Sequence, residues 1–136
     1  MALRLRFKRF ATSCSRCGQI IVTTGDTVDG YRVRAYLGVV RGIAVRAPTP
    51  GQGLQALGKA LGGNLQAGWE MYEQVCEAAR EGAFERIVRH AAERHADAVI
   101  AMRYDATDVA EGLTEVLAYG TAVQLHLPEA QPATGT

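Results

Sequence analysis

From Tyr31 to Ala47 the apolar residues Tyr31, Val33, Ala35, Leu37, Val39, Ile43 and Val45 hold the odd positions, and Arg32, Arg34 and Arg46 the even ones. A period of two is that of a β-strand with one face on a core and the other wet. Gly38 and Gly42 interrupt the run, and a glycine inside a strand marks a bend, a bulge or a close backbone approach. Two strands, or one bent strand, are therefore expected here. Ahead of it, Ile20 to Thr24 is a short β-branched run closed by Gly25, Asp26 and the turn-forming pair Asp29-Gly30.

The pattern then changes period. Thr49-Pro50-Gly51-Gln52 reads as the start of a short helix, with Thr49 as cap and Pro50 at the first helical position, and Gly62-Gly63 end it. Asn64 caps a longer helix reaching about His95, along which Trp69, Tyr72, Cys76, Ala79, Ala83, Ile87 and Ala91 recur at spacings of three and four. Two strands follow, Ala98 to Asp105 and Leu113 to Leu127, joined through the polar Thr107 to Gly112 stretch as a hairpin. In the first, Ala98, Ile100, Met102 and Tyr104 share a face. The second is apolar on both sides, with Leu117, Tyr119, Val123 and Leu125 opposite Val116, Ala118 and Ala122. Residues 128–136 have the Pro, Gln, Ala and Thr composition of a disordered tail.

Composition narrows the class. The chain has 136 residues, 48% of them hydrophobic, with 15 basic and 14 acidic side chains and three cysteines. That length suits one domain, able to bury a core without disulfides. An odd number of cysteines fits a reducing compartment, no apolar run approaches the roughly 20 residues of a membrane span, and no leader pattern appears, so a cytoplasmic location is expected. Charge is uneven: residues 1–19 carry +5 and the remainder −4. Leu3, Leu5 and Phe7 alternate with Arg4, Arg6 and Lys8 at strand period, so this basic arm reads as an edge strand or loose arm. Nucleic-acid binding is not expected of an acidic body. One long helix leaves apolar sheet surface that other copies of the chain would cover, which predicts a homo-oligomer.

Four segments carry a resemblance to a known family: VTTGDTVDGYRVRAYLGVVRGIAV from Val22, GLQALGKALGG from Gly53, the Tyr72 to Ala83 helix with its Ala79-Arg80 pair, and ADAVIAMRYD followed by LTEVLAYGTAVQL. Together, over residues 20–127, they resemble the YbjQ family of small prokaryotic proteins, labelled a heavy-metal-binding domain. The resemblance implies an α+β, two-layer β-α-β-β subunit of the dodecin kind, with a mostly antiparallel sheet, assembled as a ring of five. It implies no defined activity. The arm, residues 1–19, lies outside it.

Candidate chemistry starts with Cys14-Ser15-Arg16-Cys17-Gly18. Two thiolates three apart, followed by glycine, can share one soft divalent ion such as zinc, and Arg16 favours the deprotonated sulfurs. A closed zinc site needs four donors, and Cys76, His90, His95 and His126 are the other soft or nitrogen donors. His90 and His95 sit about 140° apart on an ideal helix and do not chelate from one face. Gly51-Gln52-Gly53-Leu54-Gln55-Ala56 matches the dinucleotide fingerprint formally, but Pro48 and Pro50 separate it from the strand and no acid follows at a second strand end. Asp26, Asp29, Asp105, Asp108, Glu111 and Glu115 fall at strand ends or loops, and Tyr36, Tyr104 and Tyr119 lie on strands where they could stack a flavin-like ligand. No nucleophile–base–acid order emerges. The expected function is that of a homo-oligomeric binding protein for a heavy metal. A binder of a flavin-like or anionic small molecule, or an enzyme with its site between subunits, is the alternative.

Overall fold

Strand period in the first third, helix period in the middle and strand period again at the end give the element order of the computed structural model, which describes residues 20–47, 51, 58, 62–63, 65–110 and 113–126. The elements are β1 (Ile21–Val22), β2 (Val33–Arg46), α1 (Leu65–Glu93), β3 (Ala98–Ala110) and β4 (Leu113–Leu125). They form a four-stranded sheet in the order β1-β3-β4-β2. β1 runs parallel to β3, with Ile21 opposite Ala98 and Val22 opposite Val99. The short β3–β4 connection makes that pair antiparallel, and the His126 amide donating to the Arg32 carbonyl at 2.8 Å sets the end of β4 against the start of β2. The architecture is α+β, with α1 and a mixed sheet. The basic arm, the Gly-rich fingerprint beyond Gly51, and the tail lie outside the described residues.

The described residues fall into two compact units, one within Met1–Val40, Val88–Met102 and Gly120–Thr136, the other within Arg41–Ile87 and Arg103–Tyr119. In the first, Ala98, Ile100 and Val123 form a core against which Val28, Val33 and Leu125 pack. The predicted turn is present: the Tyr31 amide donates to the Val28 carbonyl at 3.1 Å, and Gly30 has φ of 80°, as the third position of a type II turn requires.

β2 is one strand, and its inward parity changes partway. Val33, Ala35 and Leu37 are half-buried, but beyond Gly38 the buried residues are Val40, Gly42 and Ala44. Val39, Ile43 and Val45, expected in the core, are 65%, 43% and 42% exposed. Gly38 has φ of 94°, and one residue accommodated in this way shifts every later side chain to the other parity. A second irregularity lies in β3. Thr23 donates from its amide to the Val99 carbonyl and accepts at its carbonyl from Met102, which leaves an extra residue in β3. Ala101, with φ of 51°, absorbs it and donates to the Gly25 carbonyl at 2.8 Å. β3 also continues to Ala110, through residues expected to be loop.

In the second unit α1 lies close on β2. Ala79, Ala83 and Ile87 are buried completely, whereas Trp69 and Tyr72, the first members of the predicted stripe, are 70% and 45% exposed. Gly42 is the point of closest approach. A Cβ there would overlap the Ala83 carbonyl oxygen and lie 2.5 Å from the Ile87 nitrogen. Arg86 donates to the Ile43 carbonyl beside it. Overpacking of this kind costs about 1–3 kcal/mol because backbone, not a flexible side chain, must move. Gly42→Ala is therefore expected to lower stability in urea by that amount, while Gly25→Ala, whose Cβ would meet only an ordinary 3.5 Å contact, leaves the midpoint nearly unchanged. Equal midpoints for the two variants would refute the close approach.

Candidate functional site

In the first unit the ends of several elements converge on a cleft of about 690 Å³, lined by Ile20, Tyr31, Arg34, His95, Asp97 and His126 among others. Each is placed by local structure. The helix closes with a Schellman arrangement, in which the Ala96 amide donates to the Ala91 carbonyl at 3.0 Å and the His95 amide to that of Ala92 at 3.0 Å. His95 thereby takes the left-handed position, φ 58°, where glycine is usual. Ala96 and Ala91 are both buried, supplying the apolar contact that accompanies this motif. Asp97 follows, fixed at both backbone and side chain. Its amide donates to the Val123 carbonyl at 2.9 Å, its carbonyl accepts from Ile21 at 3.1 Å, and its Oδ2 accepts from the Leu125 amide at 2.9 Å.

Gln124 ties the polar wall together. Arg34 donates to Gln124 Oε1 at 2.8 Å, and Gln124 Nε2 donates to the His95 carbonyl at 3.3 Å. The cleft thus gathers one guanidinium, one carboxylate already accepting a backbone amide, two imidazoles and the phenol of Tyr31. Its size falls in the range of small-ligand sites, roughly 300–1,000 Å³. Among the described residues no three of His, Cys, Asp and Glu come together as the ligand set of an ion. The fit to a resident metal is accordingly partial: imidazole nitrogen suits a soft or borderline divalent ion, and the described residues offer two such rings in the cleft.

The other candidates are scattered. Cys14, Cys17 and Glu111 lie outside the described residues. Cys76 and His90 are half-buried on α1, away from the cleft lining. Asp26 and Asp29 are exposed in the first unit, Asp105 and Asp108 in the second, where Asp108 Oδ1 accepts from the Thr114 hydroxyl at 3.3 Å. Tyr36 is 71% exposed, and Tyr104 and Tyr119 are 45% and 40% exposed. Arg34, Gln124 and Asp97 were missed as site residues. Arg34 stood on the polar parity of β2, but only the strand order shows that it meets Gln124.

The element order and the mixed sheet define an α+β domain with a polar cleft at its strand ends. Residues 20–126 match the family described as "Putative heavy-metal-binding", and the chain belongs to it, the YbjQ family. It is 48% identical over 105 residues to a UPF0145 protein of Legionella pneumophila strain Lens, covering 76% of this chain and 96% of that protein. A UPF0145 protein of Chromobacterium violaceum is 50% identical over 106 residues, covering 77% and 87%. A crystal structure of a protein of unknown function from Pediococcus pentosaceus matches with a TM-score of 0.47 and 16% identity, over 79% of this chain and 98% of that one. No helix of the described residues is long and apolar enough to cross a membrane.

In the second unit the phenol of Tyr104 is shifted from its ordinary value. Burial raises its pKa, Glu81 and Glu77 on α1 push it the same way, and Arg80 opposes them. Arg80 is itself held by Glu77 at 2.5 Å. A phenol whose folded pKa is raised stabilises the fold fully below its unfolded pKa, about 10, and loses that contribution as pH rises through the folded value. Tyr104→Phe is expected to flatten the alkaline fall in stability. Superimposable alkaline denaturation curves for parent and variant would remove this assignment.

Proposed function

We propose that the protein is a subunit of a homo-oligomer that holds a soft divalent metal ion such as zinc, with Cys14 and Cys17 as thiolate ligands. The observation carrying this reading is the Cys14-x-x-Cys17 pair itself, placed in sequence just before Ile20 in the lining of the cleft. A thiolate pair at this spacing is half of a tetrahedral zinc site, and thiolate ligands select zinc and similar ions over magnesium or calcium. The family description agrees, although the residues it matches start after the pair. Metal content of the reduced, untagged chain is the test. One zinc ion per subunit is expected, absent from a Cys14→Ser/Cys17→Ser variant, and equal content in both would end the reading.

Assembly is supported by what each unit leaves uncovered. Tyr36 and Val39 are exposed in the first, and Ile43, Val45, Trp69, Val109 and Tyr119 in the second. β2, fourteen residues long, is an edge strand of the described sheet, and a long apolar edge invites pairing with another chain. A ring of five is the assembly implied by the resemblance to the family. Native mass spectrometry is expected to show five copies, and Val39→Glu to shift the population toward single subunits. A monomeric parent chain at micromolar concentration would overturn the assembly.

One observation favours a second reading. Arg34, Tyr31 and the two imidazoles in a cleft of about 690 Å³ suit a small anionic molecule. The same spectrum would show it as added mass, lost from an Arg34→Gln variant.

A further inference from the structure

We infer that the strand-end cleft of the first unit takes a small monocarboxylic acid with an apolar body, its carboxylate held by the guanidinium of Arg34. This rests on the anion reading above and narrows it to one charge and one head group. Strand order places the anchor. Arg34 stands on the polar parity of β2 ahead of Gly38, where the alternation is unbroken, and β4 is the neighbour of β2 in the sheet. Its Nη2 donates to Gln124 Oε1 at 2.8 Å, and Gln124 is fixed in turn by its Nε2 donating to the His95 carbonyl at 3.3 Å. The guanidinium is thus oriented by a neutral amide, which leaves its charge unopposed at that contact. The bond uses a single N–H of the fork. A planar fork with donors to spare matches the two oxygens of a carboxylate, a fit that a lysine ammonium does not reproduce.

The surroundings limit the charge a ligand can carry. Together with Arg34 and the two imidazoles, the lining contains the carboxylate of Asp97, whose Oδ2 accepts from the Leu125 amide at 2.9 Å. α1 ends at Glu93, two residues before His95, so the carbonyl end of the helix, with its partial negative charge, is at this cleft as well. Phosphate sites use the reverse arrangement, a helix N-terminus with its free amides. One guanidinium set against a carboxylate and a helix C-terminus suits a single negative charge and works against a dianion.

Size and apolar lining supply the body. A volume of about 690 Å³ far exceeds that of a carboxylate group, and Ile20, Ile21, Leu125 and the Tyr31 ring line the cleft with Arg34. Ile21 and Tyr31 are 37% and 38% exposed, apolar surface that the body of a ligand would take out of water.

The test uses the full-length chain at pH about 8 with 2-naphthoate, its neutral amide, acetate, and 2-naphthyl phosphate, a dianion at that pH. Calorimetric titration is expected to show 2-naphthoate bound, the amide and acetate at least about tenfold weaker, and 2-naphthyl phosphate no tighter than 2-naphthoate. Arg34→Lys keeps the charge but not the fork. It is expected to weaken 2-naphthoate about 10- to 100-fold, the worth of one charge-assisted hydrogen bond, with Tm unchanged because Arg34 is exposed. Asp97→Asn keeps an oxygen for the Leu125 amide and is expected to raise the affinity for 2-naphthyl phosphate relative to 2-naphthoate. An unchanged ratio there would remove the charge limit and with it the preference for a monoanion. Tighter binding of the dianion by the parent chain, lost in Arg34→Lys, would overturn this inference and leave the anion reading standing. Equal affinities for acid and amide would overturn both, since no negative charge is then recognised. Absence of binding by every probe overturns the monocarboxylate, whatever added mass the native spectrum shows.

Discussion

The parallel pairing of β1 with β3 is the constraint from which the rest of the first unit follows. Parallel strands cannot be joined by a tight turn, and the long intervening chain, with α1 in it, carries the polypeptide back to the end where β1 began. Because β4 then returns antiparallel to β3, the exit of the helix, the start of β3 and the close of β4 fall together. The cleft is a product of these chain directions. Its polar residues come from three places in the sequence, Tyr31 with Arg34, His95 with Asp97, and Gln124 with His126, and none forms a local motif.

Small residues set how closely neighbouring elements of each unit approach. In the second, Ala79, Ala83 and Gly42 let α1 lie against β2 with backbone almost touching backbone, and Arg86 caps the contact on the Ile43 carbonyl. In the first, Gly120 admits Val99: a Cβ there would lie 2.8 Å from its Cγ1 and 3.0 Å from the Ile100 carbonyl oxygen. Close packing leaves little room for large apolar side chains on these contact faces. Val39, Ile43, Val45, Trp69 and Tyr72 are exposed.

Much of this was legible in the residues. Alternation located β2, β3 and β4, the three-four spacing located α1 to within two residues at its C-terminal end, and Asp29-Gly30 located the turn. The wrong parity after Gly38 has a physical cause: a period-two reading assumes an unbroken pleat, and one glycine at positive φ resets it. Gly38 was recognised as a bulge signal, but its position in sequence does not tell which side of it keeps the core. The extension of β3 through Thr107, Asp108 and Val109 was illegible because polar composition signals a loop only when no partner strand is at hand. The cleft was least legible of all. Parallel pairing and strand order are long-range facts, and Arg34 looked like any charge on a wet face until Gln124 was set beside it.

Among the described residues two without glycine's freedom, Ala101 and His95, take left-handed backbone. Ala101 has a structural reason: it carries the extra residue of β3 and its amide is satisfied by the Gly25 carbonyl. His95 ends the helix, where glycine would make the same Schellman hydrogen bonds from its backbone alone. Its imidazole contributes nothing to those bonds, and the left-handed conformation of a non-glycine residue costs about 1–2 kcal/mol. Histidine is among the non-glycine residues enriched in this conformation, so the helix end is compatible with its imidazole. The imidazole stands in the lining of a polar cleft beside the wall made by Arg34 and Gln124.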